Sequence, residues 1–246
     1  MRAVLLDVDD TLLDTTNAMY AAAAAALAAL WPERDASWHT EAGIRFRHDP
    51  GGHFARYTAG ELRFEQMRAL RLAEVAQHYG LELAAGAAET FEAAFRPAFL
   101  EHQHRYDDVL PFLDACEESG IRVGALTNSS QAATTPKLVA NCLTDRLAVV
   151  VTRDSLGFGK PDPRVFRSAC ERLGCEPGGT AYIGDEWEAD IEGARSAGLH
   201  PIWLRRDGVT ATGEGADVPL ITSLEQLSVT ADGLDVLDLG CAAPTG

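Results

Sequence analysis

Short apolar segments alternate with helix-like segments through the second half of this chain. The apolar segments are rich in β-branched residues and predict five strands, at Ala3–Val8, Ile121–Leu126, Leu147–Val151, Ala181–Ile183 and Pro201–Leu204. Segments with the spacing of apolar residues typical of a helix separate the last four strands. They are Gln131–Leu143, Pro163–Leu173 and Glu188–Ala197. Because strands that are joined through helices usually run parallel, this alternation predicts an α/β fold with a doubly wound, mainly parallel, Rossmann-like sheet.

The first predicted strand breaks this rhythm. About a hundred residues separate it from the second, and the composition of that interval favours helices at Ala18–Leu30, Leu62–Tyr79 and Ala87–His104, with a turn at His48–His53. An inserted all-α helical cap domain over residues 14–107 explains the interval. The catalytic core then covers residues 1–13 and 108–228. Residues 229–246 form a C-terminal tail, whose composition permits disorder.

The overall charge restricts the partners that this protein could bind. A formal net charge of -16 argues against nucleic acid as a partner, because neutralising a phosphate backbone needs clustered Lys and Arg.

The N-terminal apolar stretch reaches an aspartate at Asp7, so neither a signal peptide nor a membrane span is expected. The five cysteines are scattered without a CxxC pair, which suits a reducing cytoplasm. The sequence leaves the oligomeric state open.

An acidic cluster follows the first predicted strand, in the segment Asp7-Val8-Asp9-Asp10-Thr11. Residues two apart on an extended chain project to the same side, so Asp7 and Asp9 can share one site. That site lies at the carboxyl end of a parallel strand, where open α/β sheets bind ligands. A turn that is merely capped by Asp9 and Asp10 would also explain the segment.

Three further motifs follow strand ends or the loops beyond them. They are Leu126-Thr127-Asn128, Gly159-Lys160-Pro161-Asp162, and Gly184-Asp185 with Asp190. Lys160 is unusual because only two of the 21 basic residues are lysines, Lys137 and Lys160. A compact ammonium that is retained in an arginine-rich chain suggests a specific geometry.

Together the four motifs resemble those of the haloacid dehalogenase superfamily of hydrolases, in the same order along the chain. The resemblance spans Asp7 to Asp190 and implies a core with the first strand at its centre and a helical cap inserted after that strand. It also implies the chemistry of a phosphatase that cleaves a small-molecule phosphate ester.

The resemblance assigns roles to the motif residues. Asp7 is the nucleophile that forms an aspartyl phosphate, and Asp9 is the acid and then the base. Lys160 places a positive charge beside Asp7, while Thr127 and Asn128 bind the phosphoryl group. The resemblance further implies that Mg2+ is held by Asp7, by the backbone carbonyl of Asp9 and by Asp185, with Asp190 orienting the ion's surroundings.

Three alternatives remain at this stage. A haloacid dehalogenase shares the fold but does not require the second aspartate, so Asp9 favours phosphoryl transfer. A hexose phosphate mutase commonly carries Gly-Val or Gly-Thr where this chain has Asp10-Thr11. A catalytically silent module that binds phosphometabolites would be expected to have lost a site residue, yet every core motif position is present.

Overall fold

The computed structural model describes residues 1–208, 217–231 and 233–237. Contacts divide the chain into two compact units. The first combines Met1–Leu13 with the described chain from Arg105 onward, and the second is Asp14–His104. The second unit ends short of the predicted boundary at residue 107, because Arg105 already pairs with Leu13 in the first unit.

The second unit is helical. Its helices are α1 (Thr15–Leu30), α2 (Ala36–His48), α3 (His53–Thr58), α4 (Phe64–His78) and α5 (Ala87–His102). Small alanine side chains on α1 let α2 approach closely, and the buried core includes Ala22, Ala26, Phe46, Leu72 and Phe91. Predicted helices fall on α1, α4 and α5, and the predicted turn lies between α2 and α3. The role of this unit as a cap stays a prediction.

The first unit contains a six-stranded parallel sheet. Its strands are β1 (Ala3–Leu6), β2 (Arg122–Leu126), β3 (Val149–Val151), β4 (Thr180–Gly184), β5 (His200–Leu204) and β6 (Leu220–Ile221), in the order β3-β2-β1-β4-β5-β6. The predicted α/β class with a doubly wound parallel sheet is confirmed. The two-residue strand β6 was not predicted, since so short a segment carries no measurable periodicity.

Both faces of this sheet are covered by helices, which are α6 (Val109–Glu118), α7 (Gln131–Ala140), α8 (Pro163–Leu173) and α9 (Gly193–Ala197). Alternate residues of β1 face opposite sides. Val4 and Leu6 pack in an apolar cluster with residues of α6 and α7, whereas Ala3 and Leu5 pack with residues of α8 and α9. This two-sided burial explains why β1 is continuously apolar rather than alternating.

Strand register brings the ends of three strands together. Leu6 of β1 lies opposite Ala125 of β2 and Ile183 of β4. The residues that follow these strands therefore emerge at one edge of the sheet, at its centre. This edge carries the acidic segment and two of the other three motifs.

Two segments differ from their predicted form. The predicted helix Glu188–Ala197 begins as a π-helical segment, Trp187–Glu192, and becomes α-helical only at Gly193. The predicted tail from residue 229 includes part of an antiparallel pair, β7 (Leu227–Thr230) with β8 (Gly233–Val236). Buried Leu227 and Leu234 anchor this pair in the core of the first unit. Residues 238–246 of the predicted tail lie outside the described residues.

No helix in the described ranges is long and apolar enough to cross a membrane.

Candidate active site

Asp7 is fixed at the end of β1 and is nearly buried, with 5% of its surface exposed. Its backbone N–H donates to the carbonyl of Ile183 at 2.9 Å, which extends the pairing with β4 by one residue. The carboxylate therefore stands on rigid sheet backbone. A reacting group gains from such a support because its position is set before substrate binds.

Lys160 connects Asp7 to the other strand-end residues. Its Nζ lies 2.5 Å from Oδ1 of Asp7 and 2.6 Å from Oδ1 of Asp190. The same Nζ lies 3.1 Å from the Tyr182 hydroxyl, which donates to Asp190 Oδ1 at 2.8 Å. A single buried ammonium is thus shared by two carboxylates, and each loses conformational freedom through it.

Asn128 fixes the backbone of Lys160. The side-chain oxygen of Asn128 accepts from the N–H of Lys160 at 2.7 Å, and its amide nitrogen donates to the carbonyl of Lys160 at 3.0 Å. Gly159 allows this approach, since a Cβ there would stand 2.2 Å from the Asn128 oxygen. Asn128 therefore positions Lys160. Its predicted contact with the phosphoryl group stays a prediction.

Thr127 continues β2 beyond its last residue. Its backbone N–H donates to the Val151 carbonyl at 2.9 Å, and its hydroxyl oxygen accepts from the N–H of Ser129 at 3.1 Å. The side chain is 2% exposed. The hydroxyl keeps a hydrogen that it can donate, so the predicted contact with a phosphoryl oxygen is chemically compatible with this geometry.

Asp9 is held by two residues that the motif did not predict. Ser129 donates its hydroxyl to Oδ2 of Asp9 at 2.8 Å, and Nζ of Lys137 lies 2.5 Å from Oδ1. Lys137 comes from α7 and is only 3% exposed. Both oxygens of the Asp9 carboxylate therefore have a defined partner.

Asp185 completes the acidic edge. Each of Asp7, Asp185 and Asp190 presents a carboxylate oxygen, and these three oxygens lie within 4.8 Å of one another. The indole N–H of Trp203 donates to the Asp185 carbonyl at 2.8 Å, and the N–H of Glu186 donates to Oδ2 of Asp190 at 3.0 Å. The strand end and the following π-helical segment thus set the positions of both carboxylates.

Burial and like charges shift the protonation of this cluster. Burial raises the pKa of Asp7 to about 8, against the Lys160 ammonium, which lowers it. Burial also raises the pKa of Asp185 to about 9, and the charges of Asp7 and Asp190 add to that shift. Burial opposes the charge of Lys160, but Asp190 and Asp7 hold the pKa of its ammonium well above the ordinary value. When all three carboxyls are ionised, they carry more negative charge than Lys160 balances, which favours a cation.

Hard oxygen donors of this kind fit a Mg2+ ion. Asp7 and Asp185 are suited to direct contact with it. Both oxygens of Asp190 already accept bonds from protein donors, which suits an orienting role. The structure thus brings Asp7, Asp185 and Asp190 together around one position at this edge of the sheet. The roles predicted for them and for Asp9 stay predictions.

A second acidic group lies in the helical unit and consists of Asp49, His53 and Glu74. Arg45 pairs with Glu74 at 3.2 Å, and Nε of Arg71 lies 3.7 Å from Oδ1 of Asp49. These guanidinium groups already balance the carboxylates. We interpret this group as an ion-pair network that ties α2 to α4, rather than as a metal site.

Sequence reasoning missed Tyr182, Ser129 and Lys137. Ser129 and Lys137 contact Asp9 across more than a hundred residues of sequence, and no short motif shows such a contact. The scarcity of lysine was the available signal, because it marks Lys137 as strongly as Lys160. The prediction used it only for Lys160.

The family model of the haloacid dehalogenase-like hydrolases matches residues 1–198. The chain therefore belongs to this family, and the resemblance inferred from the four motifs is confirmed. It is an enzyme of the hydrolase class.

Phosphatases are among its similar proteins. A phosphoserine phosphatase from Thermus thermophilus is 29% identical over 224 residues, which cover 84% of this chain and 89% of the relative. A glyceraldehyde 3-phosphate phosphatase from Methanothermobacter thermautotrophicus is 26% identical over 235 residues, covering 92% and 98%. A solved dehalogenase structure, 24% identical with a TM-score of 0.69 over 92% of this chain and 94% of its own, shows the common fold alone.

Proposed function

We propose that this protein is a Mg2+-dependent phosphatase that hydrolyses a small phosphomonoester through an aspartyl phosphate on Asp7. The observation that carries the proposal is the arrangement of Asp7, Asp185 and Asp190 around the buried ammonium of Lys160. The phosphatase relatives support the same reaction class.

In the first step, a carboxylate oxygen of Asp7 forms a bond to phosphorus while the bond from phosphorus to the ester oxygen breaks. The ester oxygen leaves with the bonding electrons and takes a proton from Asp9. Lys160 holds Asp7 in place and offsets negative charge between the nucleophile and the phosphoryl group. Thr127 donates its hydroxyl to a phosphoryl oxygen, and Asn128 contributes beside it.

In the second step, water attacks the phosphorus of the aspartyl phosphate and gives a proton to Asp9. The bond between phosphorus and the Asp7 oxygen breaks, which regenerates the carboxylate and releases inorganic phosphate. Asp9 therefore needs two protonation states, and it alternates between acid and base within one turnover.

Asp7, the backbone carbonyl of Asp9 and Asp185 would hold Mg2+, with Asp190 orienting its surroundings. The raised pKa values of Asp7 and Asp185 support this assignment, because a buried excess of carboxylates is what a hard divalent cation stabilises. When bound, the ion supplies charge stabilisation for the phosphoryl oxygens. The residues themselves carry the nucleophile and the proton transfers.

The substrate class is a small-molecule phosphate ester, and the protein's location is proposed to be the cytoplasm. The two phosphatase relatives named above differ in their substrates, so neither name is carried over to this chain. The proposal includes no nucleic-acid or membrane partner. It leaves the oligomeric state open.

The presence of Asp9 favours a phosphatase over a dehalogenase of the same fold. Both of its oxygens are held by side chains of the core, so its carboxylate has a defined orientation at the site. A mutase would use the same first step and then return the phosphoryl group to a sugar. A silent binding module would lack turnover altogether.

The test is turnover of p-nitrophenyl phosphate with Mg2+ and after chelation by EDTA. Wild-type protein should turn over only with the metal, and Asp7→Asn should reduce kcat by at least about 1,000-fold because it removes the nucleophile. Arg146→Met, which removes a partly exposed cation paired with Asp114, should behave like wild type. Equal turnover by Asp7→Asn and wild type would contradict the proposal.

A further inference from the structure

The two lysines of this chain are both buried, and each is paired with an aspartate of the acidic segment. Among 21 basic residues only Lys137 and Lys160 are lysines. Both are buried, with 3% and 8% of their surfaces exposed. Lys160 pairs with Asp7 and Lys137 pairs with Asp9, so the two aspartates proposed for the chemistry contact different buried ammonium groups.

Burial of Lys137 has an energetic cost that only its pairing offsets. Removing an ammonium from water is expensive unless a carboxylate and hydrogen bonds compensate for it. Lys137 lies on α7, whose first turn is capped by the Ser130 side chain accepting from the N–H of Ala133 at 3.2 Å. Near the end of this helix, the Asn141 amide donates to the carbonyl of Lys137 at 2.9 Å. The helix that presents the ammonium is therefore fixed at both ends.

The contacts immobilise the whole Asp9 carboxylate. Lys137 occupies Oδ1 and the Ser129 hydroxyl occupies Oδ2, so rotation about the last side-chain bond would break both. A carboxylate oxygen can accept more than one hydrogen bond, so these contacts are compatible with a proton transfer from water to Asp9. A lysine suits this task because its ammonium is a compact point charge that can pair with a single carboxylate oxygen.

We propose that Lys137, together with Ser129, is a positioning residue that fixes the Asp9 carboxylate for its step as the base. This inference rests on the proposed phosphatase function. When Asp9 acts as the base, water forms a bond to phosphorus and gives its proton to Asp9 as the bond between phosphorus and Asp7 breaks. Orientation of the base matters most here, because the proton passes from a water that must itself be aligned.

The test separates the two chemical steps in a Lys137→Met variant. This substitution keeps an unbranched side chain of similar length and removes the charge. With p-nitrophenyl phosphate, the leaving group departs without a proton, so kcat/KM, which reports phosphorylation of Asp7, should fall less than about 3-fold. Hydrolysis of the phosphoenzyme should become limiting, so kcat should fall about 10-fold or more. A burst of p-nitrophenol should then precede the slow steady state.

Ser129→Ala provides an independent variant that removes the other contact. It should lower kcat in the same direction by a smaller factor, and the double variant should fall less than the product of the single effects. Arg146→Met again serves as the control for loss of a cation elsewhere in the same unit. Thermal melts establish that each variant is folded. If Lys137→Met does not fold, Ser129→Ala alone decides the question.

An unchanged kcat in the folded variants would overturn the inference, and so would an equal fall of kcat and kcat/KM. Either result with an active wild type and an inactive Asp7→Asn leaves the proposed function standing. By contrast, undiminished turnover by Asp7→Asn would overturn the proposed function itself.

Discussion

The hydroxyl of Tyr182 illustrates how single atoms organise this site. It donates to Asp190 Oδ1 at 2.8 Å, lies 3.1 Å from Nζ of Lys160, and is 3.2 Å from the Leu126 carbonyl oxygen. The residue is fully buried, and burial raises the pKa of its phenol well above the ordinary value. Tyr182 therefore stays neutral and supports the charged groups as a hydrogen-bonding partner.

Removing this hydroxyl should weaken the fold measurably. Tyr182→Phe leaves two charged groups short of a buried partner, and we expect the free energy of unfolding to fall by about 2 kcal/mol. Tyr79→Phe is the matched control, because its hydroxyl bonds to Glu41 at an exposed position, and we expect a loss below about 0.5 kcal/mol. Urea unfolding of both variants measures the difference. Equal losses would show that Tyr182 does not stabilise the charged cluster.

At the same scale, sequence motifs predicted which side chains meet at Asp7 but not how they meet. Lys160 and Asp190 were predicted as site residues, and the structure bonds both to a tyrosine that no motif includes. Asn128 was predicted to bind substrate, whereas the structure also gives it a backbone clamp on Lys160. Such contacts depend on side-chain packing, which local sequence patterns do not encode.

At the scale of elements, the loop that carries Lys160 is positioned by its contact with the loop after β2. Gly159 is essential to that contact because there is no room for a side chain between it and Asn128. The two loops are brought together by the parallel pairing of β2 with β3. A local change at Gly159 should therefore act on catalysis through Lys160.

Gly159→Ala tests this dependence. The new Cβ would stand 2.2 Å from the Asn128 oxygen. The two hydrogen bonds between the Asn128 side chain and the backbone of Lys160 must then break, and Lys160 must shift. A shift of this size should lower kcat for p-nitrophenyl phosphate by about 100-fold. Gly178→Ala is the control, since a Cβ there meets nothing within 4 Å. An unchanged kcat for Gly159→Ala would mean that the hydrogen bonds from Asn128 do not position Lys160.

Predicted and observed elements agree best where apolar periodicity is strong. The predicted helix Pro163–Leu173 matches α8 in full, because Asp162 and Pro163 mark its start and Gly174 its end. The helix α2 was missed because its apolar residues are interspersed with polar ones. The strand pair β7–β8 was missed because the prediction judged this segment by its composition instead of by its alternating leucines and valines.

At the scale of the whole molecule, the excess of buried acid should link stability to pH. Burial and neighbouring carboxylates raise the pKa of Asp7 to about 8 and that of Asp185 to about 9, against an ordinary value of 3.8 for aspartate. At pH values between the ordinary pKa and the raised pKa values, the folded state binds more protons than the unfolded state. The free energy of unfolding therefore falls as pH rises through this range. Mg2+ competes with those protons and should offset the loss.

Thermal melts with EDTA and with Mg2+ measure this linkage. Without metal, Tm should decrease by at least about 3 °C from pH 6 to pH 9. The increase in Tm on adding Mg2+ should be larger at pH 9 than at pH 6, because fewer protons then need to be displaced. An Asp185→Asn variant should show both effects more weakly. A Tm without pH dependence and without response to Mg2+ would contradict the proposed metal site.

The central claim is that Asp7 becomes phosphorylated, and trapping that intermediate tests it most directly. The protein is mixed with p-nitrophenyl phosphate and Mg2+, quenched in acid within the first turnover, reduced with borohydride and digested for tandem mass spectrometry. Borohydride converts an acyl phosphate into an alcohol, so Asp7 should appear as homoserine, and the modification should be absent when substrate is omitted. Turnover without modification of Asp7, or modification of a different aspartate, would contradict the account.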